Sequence, residues 1–265
     1  MDAEMPAVMP RETQLVPLPM FSDNYLWVLR SPTGRLLAVD VGDYAVLARH
    51  LAASGDRLAT VFVTHHHPDH VGGLPELRER HPEVVVYGPA GITGVTEVLH
   101  GDETLSLGDL GDWHVLDTPG HTVRHLSFHA PAQRLLFCGD TLFSAGCGRV
   151  LGGDIRELYR SLRRLAALSP DTRVCPAHEY TLANIAFARA ADPENTDLQH
   201  YENDCRRLRD AGLPTLPSTL ALENRINPFL RCDDPALRAR LPVAAPPEPE
   251  HVFQALRGWK DVWRG

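Results

Sequence analysis

Four residues able to bind a metal ion, His65, His67, Asp69 and His70, fall within six positions in the run T-H-H-H-P-D-H at Thr64–His70. An isolated H-x-H pair is weak evidence of a site. Here the run follows Thr60-Val61-Phe62-Val63, a β-branched and aromatic stretch that reads as a buried strand. Ligands on a loop after a strand are held by a rigid scaffold yet stay open to substrate, which suits a catalytic metal better than a structural one. His66, between two ligand-type histidines, is expected to point away and either to support the ligands from behind or to play a structural part.

Three further positions repeat the same syntax of apolar strand, turn-forming residue and ligand-type residue. They are His121 in T-P-G-H-T, Asp140 in F-C-G-D-T and His178 in C-P-A-H-E-Y. Seven candidate ligands are too many for one tetrahedral zinc, but they suit two ions about 3.5–4 Å apart. A carboxylate has two oxygens and is the natural bridge, with Asp140 the candidate. Chemistry alone then suggests one all-imidazole site plus Asp140, and one mixed site containing Asp69. The remaining histidines lack this syntax and are expected not to be ligands.

The elements that must position these residues divide the chain in two. Up to residue 178 it is strand-rich, with strands expected at Leu15–Leu18, Tyr25–Leu29, Leu36–Val41, Thr60–Thr64, Val84–Tyr87, Trp113–Asp117, Leu126–Phe128, Arg134–Cys138 and Arg173–Cys175. Helical patterns interleave at Asp43–Ala53, Gly73–Arg80 and Asp154–Leu168, the last opening with the capping-box signature D-I-R-E. From Glu179 strands are expected to stop. Helices are expected at Thr181–Ala191, Glu194–Ala211, Asp234–Arg240 and Glu250–Arg257, with a Pro-rich linker P-V-A-A-P-P-E-P before the last. The fold class expected is α/β: an αββα layered sandwich over residues 1–178, followed by a small all-helical domain over 179–265.

Composition narrows the function classes. The chain has 265 residues, 43% hydrophobic and 23% charged, ordinary for a globular protein. Its net charge of −8 argues against a nucleic-acid surface. Arg156, Arg160, Arg163 and Arg164 read as the solvated face of one helix. No apolar run approaches the ~20 residues needed to span a bilayer. The acidic start M-D-A-E-M-P lacks signal-peptide layout. Five cysteines with no C-x-x-C pair fit a reducing compartment, so a cytoplasmic protein is expected.

Several motifs resemble the metallo-β-lactamase superfamily and, within it, the hydroxyacylglutathione hydrolase (glyoxalase II) family. They are F-S-D-N-Y at Phe21–Tyr25, T-H-H-H-P-D-H, T-P-G-H-T, the run F-C-G-D-T-L-F-S-A-G-C-G-R ending at Arg149, C-P-A-H-E-Y-T, and L-E-N-R-I-N-P-F-L-R at Leu222–Arg231. The histidine loop marks only the superfamily, whereas the run ending at Arg149 and the helical tail are more specific. The resemblance implies His65, His67 and His121 at a first metal, Asp69, His70 and His178 at a second, and Asp140 bridging. The expected ions are two divalent metals, zinc first, with iron or manganese as alternatives. The resemblance also implies that Arg149, Tyr180, Arg257 and Lys260 meet glutathione. One departure is Leu151, where some members carry a tyrosine.

The reaction implied is hydrolysis of S-(2-hydroxyacyl)glutathione, such as S-D-lactoylglutathione, to glutathione and a 2-hydroxy acid, the second step of methylglyoxal detoxification. Asp69 and Asp140 are the catalytic carboxylates, and a water acidified by two cations replaces any serine or cysteine nucleophile. No G-x-S-x-G elbow is present. A monomer with a small-molecule partner, and no nucleic-acid or membrane partner, is expected. The rival enzymes are a persulfide dioxygenase, a lactonase and a zinc β-lactamase, the last often using Cys where this chain has Asp140. A diiron electron carrier is the rival of another class, but no flavin-binding domain is apparent.

Overall fold

The computed structural model describes residues 13–242 and 248–264; the M-D-A-E-M-P start and positions 243–247 of the Pro-rich linker lie outside them. Six strands build the first sheet in chain order: β1 Gln14–Met20, β2 Asn24–Arg30, β3 Arg35–Val39, β4 Arg57–Phe62, β5 Val85–Pro89 and β6 Glu97–Leu99. β1, β2 and β3 are antiparallel neighbours, and β3 through β6 run parallel. The crossovers carry the helices α1 Tyr44–Ser54, α2 Pro68–Val71 and α3 Leu74–Arg80.

The second sheet contains β7 Thr104–Ser106, β8 Asp112–Asp117, β9 Leu126–Ala130 and β10 Leu135–Gly139. A small hairpin follows, β11 Leu142–Phe143 with β12 Gly146–Cys147, and then α4 Ile155–Ala166 and β13 Arg173–Pro176. The tail contributes α5 Thr181–Ala191, α6 Thr196–Asp210, β14 Ser218–Thr219, α7 Leu220–Ile226, α8 Pro235–Ala239 and α9 Pro249–Val262. The second sheet runs β14-β13-β10-β9-β8-β7, with β10 and β13 parallel.

The period of two along β2 explains the layering. Tyr25, Trp27 and Leu29 enter the core between the sheets, where they meet Trp113, Phe128 and Phe137. Leu26 and Val28 face the other way and pack with Leu47, Leu74 and Leu77 of α1 and α3. β2 is therefore buried along its whole length. Between the sheets Phe62 stacks on Phe128 at 4.1 Å between centroids, and Trp113 on Phe137 at 5.3 Å. On the outer face of the second sheet, Leu158, Leu162 and Leu165 of α4 share a core with Phe187, Phe229 and Leu256 of the tail. The order of layers is helices, sheet, sheet, helices.

The nine expected strands and seven expected helices are all present, with shifted ends. Asp154 caps α4 by accepting from the amides of Arg156 and Glu157, while the Glu157 carboxylate takes Arg160 at 2.6 Å. Arg156 and Arg164 on the same helix pair with Glu250 and Asp102. Two expectations need correction. Strands do not stop at Glu179: Ser218–Thr219 pairs antiparallel with β13, a two-residue edge too short to leave a periodic signal. The last helix runs on to Val262.

The tail is fastened to the hairpin by polar groups. Glu223, fully buried on α7, accepts from the Ser144 hydroxyl at 2.8 Å and the Ala145 amide at 2.9 Å. The Asn227 amide donates to the carbonyls of Phe143 and Gly146, and Asn184 donates to that of Ser144. Arg257 donates to the carbonyls of Cys147 and Gly148. A sharply bent hairpin leaves backbone groups that its own ladder cannot pair, and the tail pairs them. Glu223→Ala should strand the buried donors of Ser144 and Ala145 and lower stability by about 3 kcal/mol, read from the midpoint of urea unfolding.

Candidate dinuclear metal site

Each ligand-type residue stands just past a strand end. His65 and His67 follow β4, His121 follows β8, Asp140 follows β10, and His178 follows β13. Asp69 and His70 sit on α2, a single turn that Pro68 opens at its first position, where its missing N–H costs nothing. Four residues are too few to leave a helical periodicity in the sequence.

The seven residues converge in two groups, His65, His67, His121 and Asp140, and Asp69, His70 and His178. In the first, His67 Nδ1 lies 2.9 Å from His65 Nε2 and 3.1 Å from His121 Nε2. His121 Nε2 is 3.4 Å from Asp140 Oδ2. In the second, Asp69 Oδ2 is 3.5 Å from His70 Nε2 and 3.4 Å from His178 Nε2. Asp140 Oδ1 is 3.6 Å from His70 Nε2 and 3.4 Å from His178 Nε2. A tetrahedral ion with ligands at about 2.1 Å holds them about 3.4 Å apart. One oxygen of Asp140 thus faces each group.

Two buried atoms aimed into the second group, His70 Nε2 and Asp140 Oδ1, have no hydrogen-bond partner. Unpaired buried polar atoms are costly, and a cation coordinated by both removes that cost. The electrostatics agree. Burial holds His65 well below the usual imidazole pKa and also lowers His121, leaving neutral rings. Burial opposes the charged form of His178, but the carboxylates of Asp140, Asp69 and Asp23 outweigh it and push its pKa up to about 10. The neighbouring His178 and His70 rings hold Asp69 well below the usual carboxylate range. The site concentrates negative charge that a divalent cation would neutralise.

Apart from Arg149, the outer partners of these residues are ones to which sequence reasoning assigned no role. Asp40, at positive φ just after β3, faces His70 Nδ1 at 2.9 Å and accepts from the amide and hydroxyl of Thr64. Asp23 accepts from His178 Nδ1 at 2.8 Å, and the Arg149 carbonyl accepts from His121 Nδ1 at 2.7 Å. The Asn24 amide donates to Asp69 Oδ2 at 2.9 Å. His125, held neutral by burial, accepts from the Asp140 amide at 3.1 Å and stacks on His65. The F-S-D-N-Y motif contained Asp23 and Asn24, but nothing local revealed what they touch. Gly42 leaves room for α2: a Cβ there would lie 1.9 Å from the Asp69 carbonyl oxygen.

His67, Asp69, His121, Asp140 and His178 open onto a cavity of about 540 Å³ that Arg149, Tyr180, Arg257 and Lys260 also line. Arg149 is exposed on its rim. Tyr180 lies flat on His178, with centroids 4.6 Å apart, and burial pushes its phenol up to about 12. Arg257 is buried, its guanidinium shared between the hairpin carbonyls and Asp261. Lys260 lies over Phe187 and Phe229 and bonds Asn184; burial lowers its pKa to about 8. His66 is exposed and lines a different cavity.

Two family models divide the chain, the metallo-beta-lactamase superfamily over residues 22–178 and the hydroxyacylglutathione hydrolase C-terminus over residues 179–263. The chain belongs to the hydroxyacylglutathione hydrolase family of that superfamily. It is 47% identical over 257 residues to the hydroxyacylglutathione hydrolase of Thiobacillus denitrificans, covering 95% of this chain and 99% of that one. To that of Chromohalobacter salexigens it is 44% identical over 251 residues, covering 93% and 98%. Among solved structures, TTHA1623 in a di-iron-bound form superposes with a TM-score of 0.57 at 25% identity, covering 82% of this chain and all of that one. A His/Asp cluster of this superfamily holds divalent metal ions.

Asp40→Ala should release the outer nitrogen of His70 and lower affinity for metal about 10–100-fold, measured by competition with a chromogenic chelator.

Proposed function

We propose that this chain hydrolyses S-(2-hydroxyacyl)glutathione thioesters such as S-D-lactoylglutathione, releasing glutathione and a 2-hydroxy acid. The observation that carries the reading is one cavity lined by both metal-ligand groups and the basic and aromatic residues of the tail. The relatives named hydroxyacylglutathione hydrolase match nearly the whole chain, tail included. That tail disfavours the lactonase, β-lactamase and persulfide dioxygenase readings.

His65, His67 and His121 would hold one ion, Asp69, His70 and His178 the other, and Asp140 would bridge. Zinc is the ion proposed, although the same imidazole and carboxylate donors accept iron or manganese. Two bound ions would supply a water acidified towards neutrality and a Lewis-acid contact for the thioester carbonyl. Asp69 stays ionised and, with one oxygen fixed by Asn24, can accept a hydrogen bond from the attacking water. The leaving thiolate has a solution pKa near ~8.5 and needs no strong general acid.

Residues at the mouth select the thiol arm. Glutathione carries two carboxylates, which Arg149 and Lys260 would meet as cations. Tyr180 stays protonated and can donate a hydrogen bond. Arg257 would act mainly by holding Cys147 and Gly148, and so the loop that carries Arg149. The working unit in this reading is a cytoplasmic monomer, with the catalytic part ending at residue 178 and the tail from 179 serving glutathione. Among the described residues no helix is long and apolar enough to cross a membrane.

Metal-loaded protein should hydrolyse S-D-lactoylglutathione and spare a β-lactam, and Asp140→Ala should lower kcat/KM by at least about 100-fold while losing bound metal. Inactive metal-loaded wild type, or an unimpaired variant, overturns the proposal. Lys260 adds a pH signature. As a base depressed to about 8, it is charged below that pH and neutral above it. KM should therefore be flat below pH 8 and rise above it, and Lys260→Met should raise KM at pH 7 and remove the rise.

A further inference from the structure

Glu179 lies between a ligand-type residue, His178, and Tyr180, which lines the cavity. Its side chain is only 7% exposed. One carboxylate oxygen accepts from the Tyr25 hydroxyl and from the Thr215 amide, both at 2.9 Å. The other accepts from the Thr215 hydroxyl at 2.5 Å. That hydroxyl also meets the hydroxyl of Thr181, the first residue of α5, at 2.7 Å. Arg209 of α6 lies 3.9 Å away. A single carboxylate thereby joins β2, the chain just past β13 and the tail loop between α6 and β14.

The segment that Tyr25 anchors carries the outer partners of the second ligand group. Asp23–Tyr25 runs antiparallel to Ala177–Glu179. The Tyr25 amide donates to the Ala177 carbonyl at 2.7 Å, the Glu179 amide donates to the Asp23 carbonyl at 2.8 Å, and Asn24 faces His178 between them. From this seam Asp23 accepts from His178 Nδ1, and Asn24 donates to Asp69. His178 and Asp69 are two of the three residues of the second group; the third, His70, is held by Asp40. The first group has other supports. His65 Nδ1 meets the Thr64 hydroxyl at 3.0 Å, and His121 Nδ1 meets the Arg149 carbonyl. Among the described residues, no hydrogen bond links Glu179 to either support.

We infer that Glu179 is a positioning residue for the second ion: it fixes the seam through which Asp23 and Asn24 orient His178 and Asp69, and it ties that seam to the tail. The inference rests on the two-ion reading above. Partners that orient a ligand govern affinity for the metal, and Glu179 acts one bond further out. It acts by geometry rather than by charge. A glutamine can keep every contact, its oxygen accepting from Tyr25 and from the Thr215 amide. Its NH2 group can donate to the Thr215 hydroxyl, which then donates to Thr181. An alanine keeps none of them.

The test measures both zinc affinities, by competition with a chromogenic chelator, in wild type, Glu179→Ala, Glu179→Gln and Thr215→Val. His70→Ala, which removes a ligand of the second group, marks which affinity belongs to that group. Glu179→Ala should weaken the second ion about tenfold and leave the first within about twofold. Thr215→Val, which removes one donor and leaves the carboxylate, should weaken the same ion about threefold. Glu179→Gln should match wild type. Both affinities falling together, as a loss of structure would cause, or neither falling, overturns the positioning role and leaves the two-ion reading intact. A glutamine variant as weak as the alanine one also overturns it. If Glu179→Ala folds poorly, Thr215→Val carries the same test. Wild type that holds fewer than two ions overturns that reading and the inference with it.

Discussion

Asp140 is a buried carboxylate with one oxygen turned toward each of two imidazole-bearing groups, and the rest of the structure is arranged around that fact. A buried carboxylate must be matched by positive charge or by donors. Its own backbone amide is fixed by His125, but one carboxylate oxygen has no protein partner. Burial lowers His65, His67 and His121, so they are available as neutral ligands, whereas the neighbouring carboxylates raise His70 and His178. A bound metal ion would take the place of the protons that those two rings otherwise hold. Both halves of the αββα sandwich contribute, because the first sheet delivers His65 and the second delivers Asp140 and His178.

Delivery depends on the register of strands rather than on loops alone. Parallel pairing of β3 with β4 sets Asp40 beside Thr64, and parallel pairing of β10 with β13 sets Asp140 beside His178. The Leu126 amide donates to the Thr64 carbonyl across the sheets and ties their edges together. Glycine marks the closest approaches. At Gly139 φ is +48°, and a Cβ would lie 2.6 Å from the Thr64 hydroxyl and 2.7 Å from His125. The ligands can meet only because the backbone around them carries no side chain to hold them apart.

The tail does more than cover an apolar face. Its side chains satisfy the carbonyls and an amide of the hairpin after Asp140, so the loop leading to Arg149 is shaped by residues more than thirty positions away. The same helices bring Lys260 to the cavity that the ligands open onto. Metal centre and tail are thereby one mechanical unit, with the β11–β12 hairpin as the joint.

The sequence by itself determined the strand-then-ligand syntax, the number of candidate ligands and the likeness of the tail to its family, because metal ligation requires particular side chains at short local spacing. It also determined the layers, since the period of hydrophobic residues is local information. Tertiary structure alone decided which residues stand behind the ligands. Asp23, Asp40, Asn24 and His125 are ordinary polar residues in sequence and become partners only when distant strands align. The turn of helix at Pro68–Val71 and the strand at Ser218–Thr219 were likewise illegible, being too short for any periodicity and held by contacts made elsewhere. Arg257 shows the limit most plainly. The resemblance implied that it meets glutathione; packing alone decided that its guanidinium, while lining the cavity, is held by the hairpin carbonyls, and burial is a property of the whole fold.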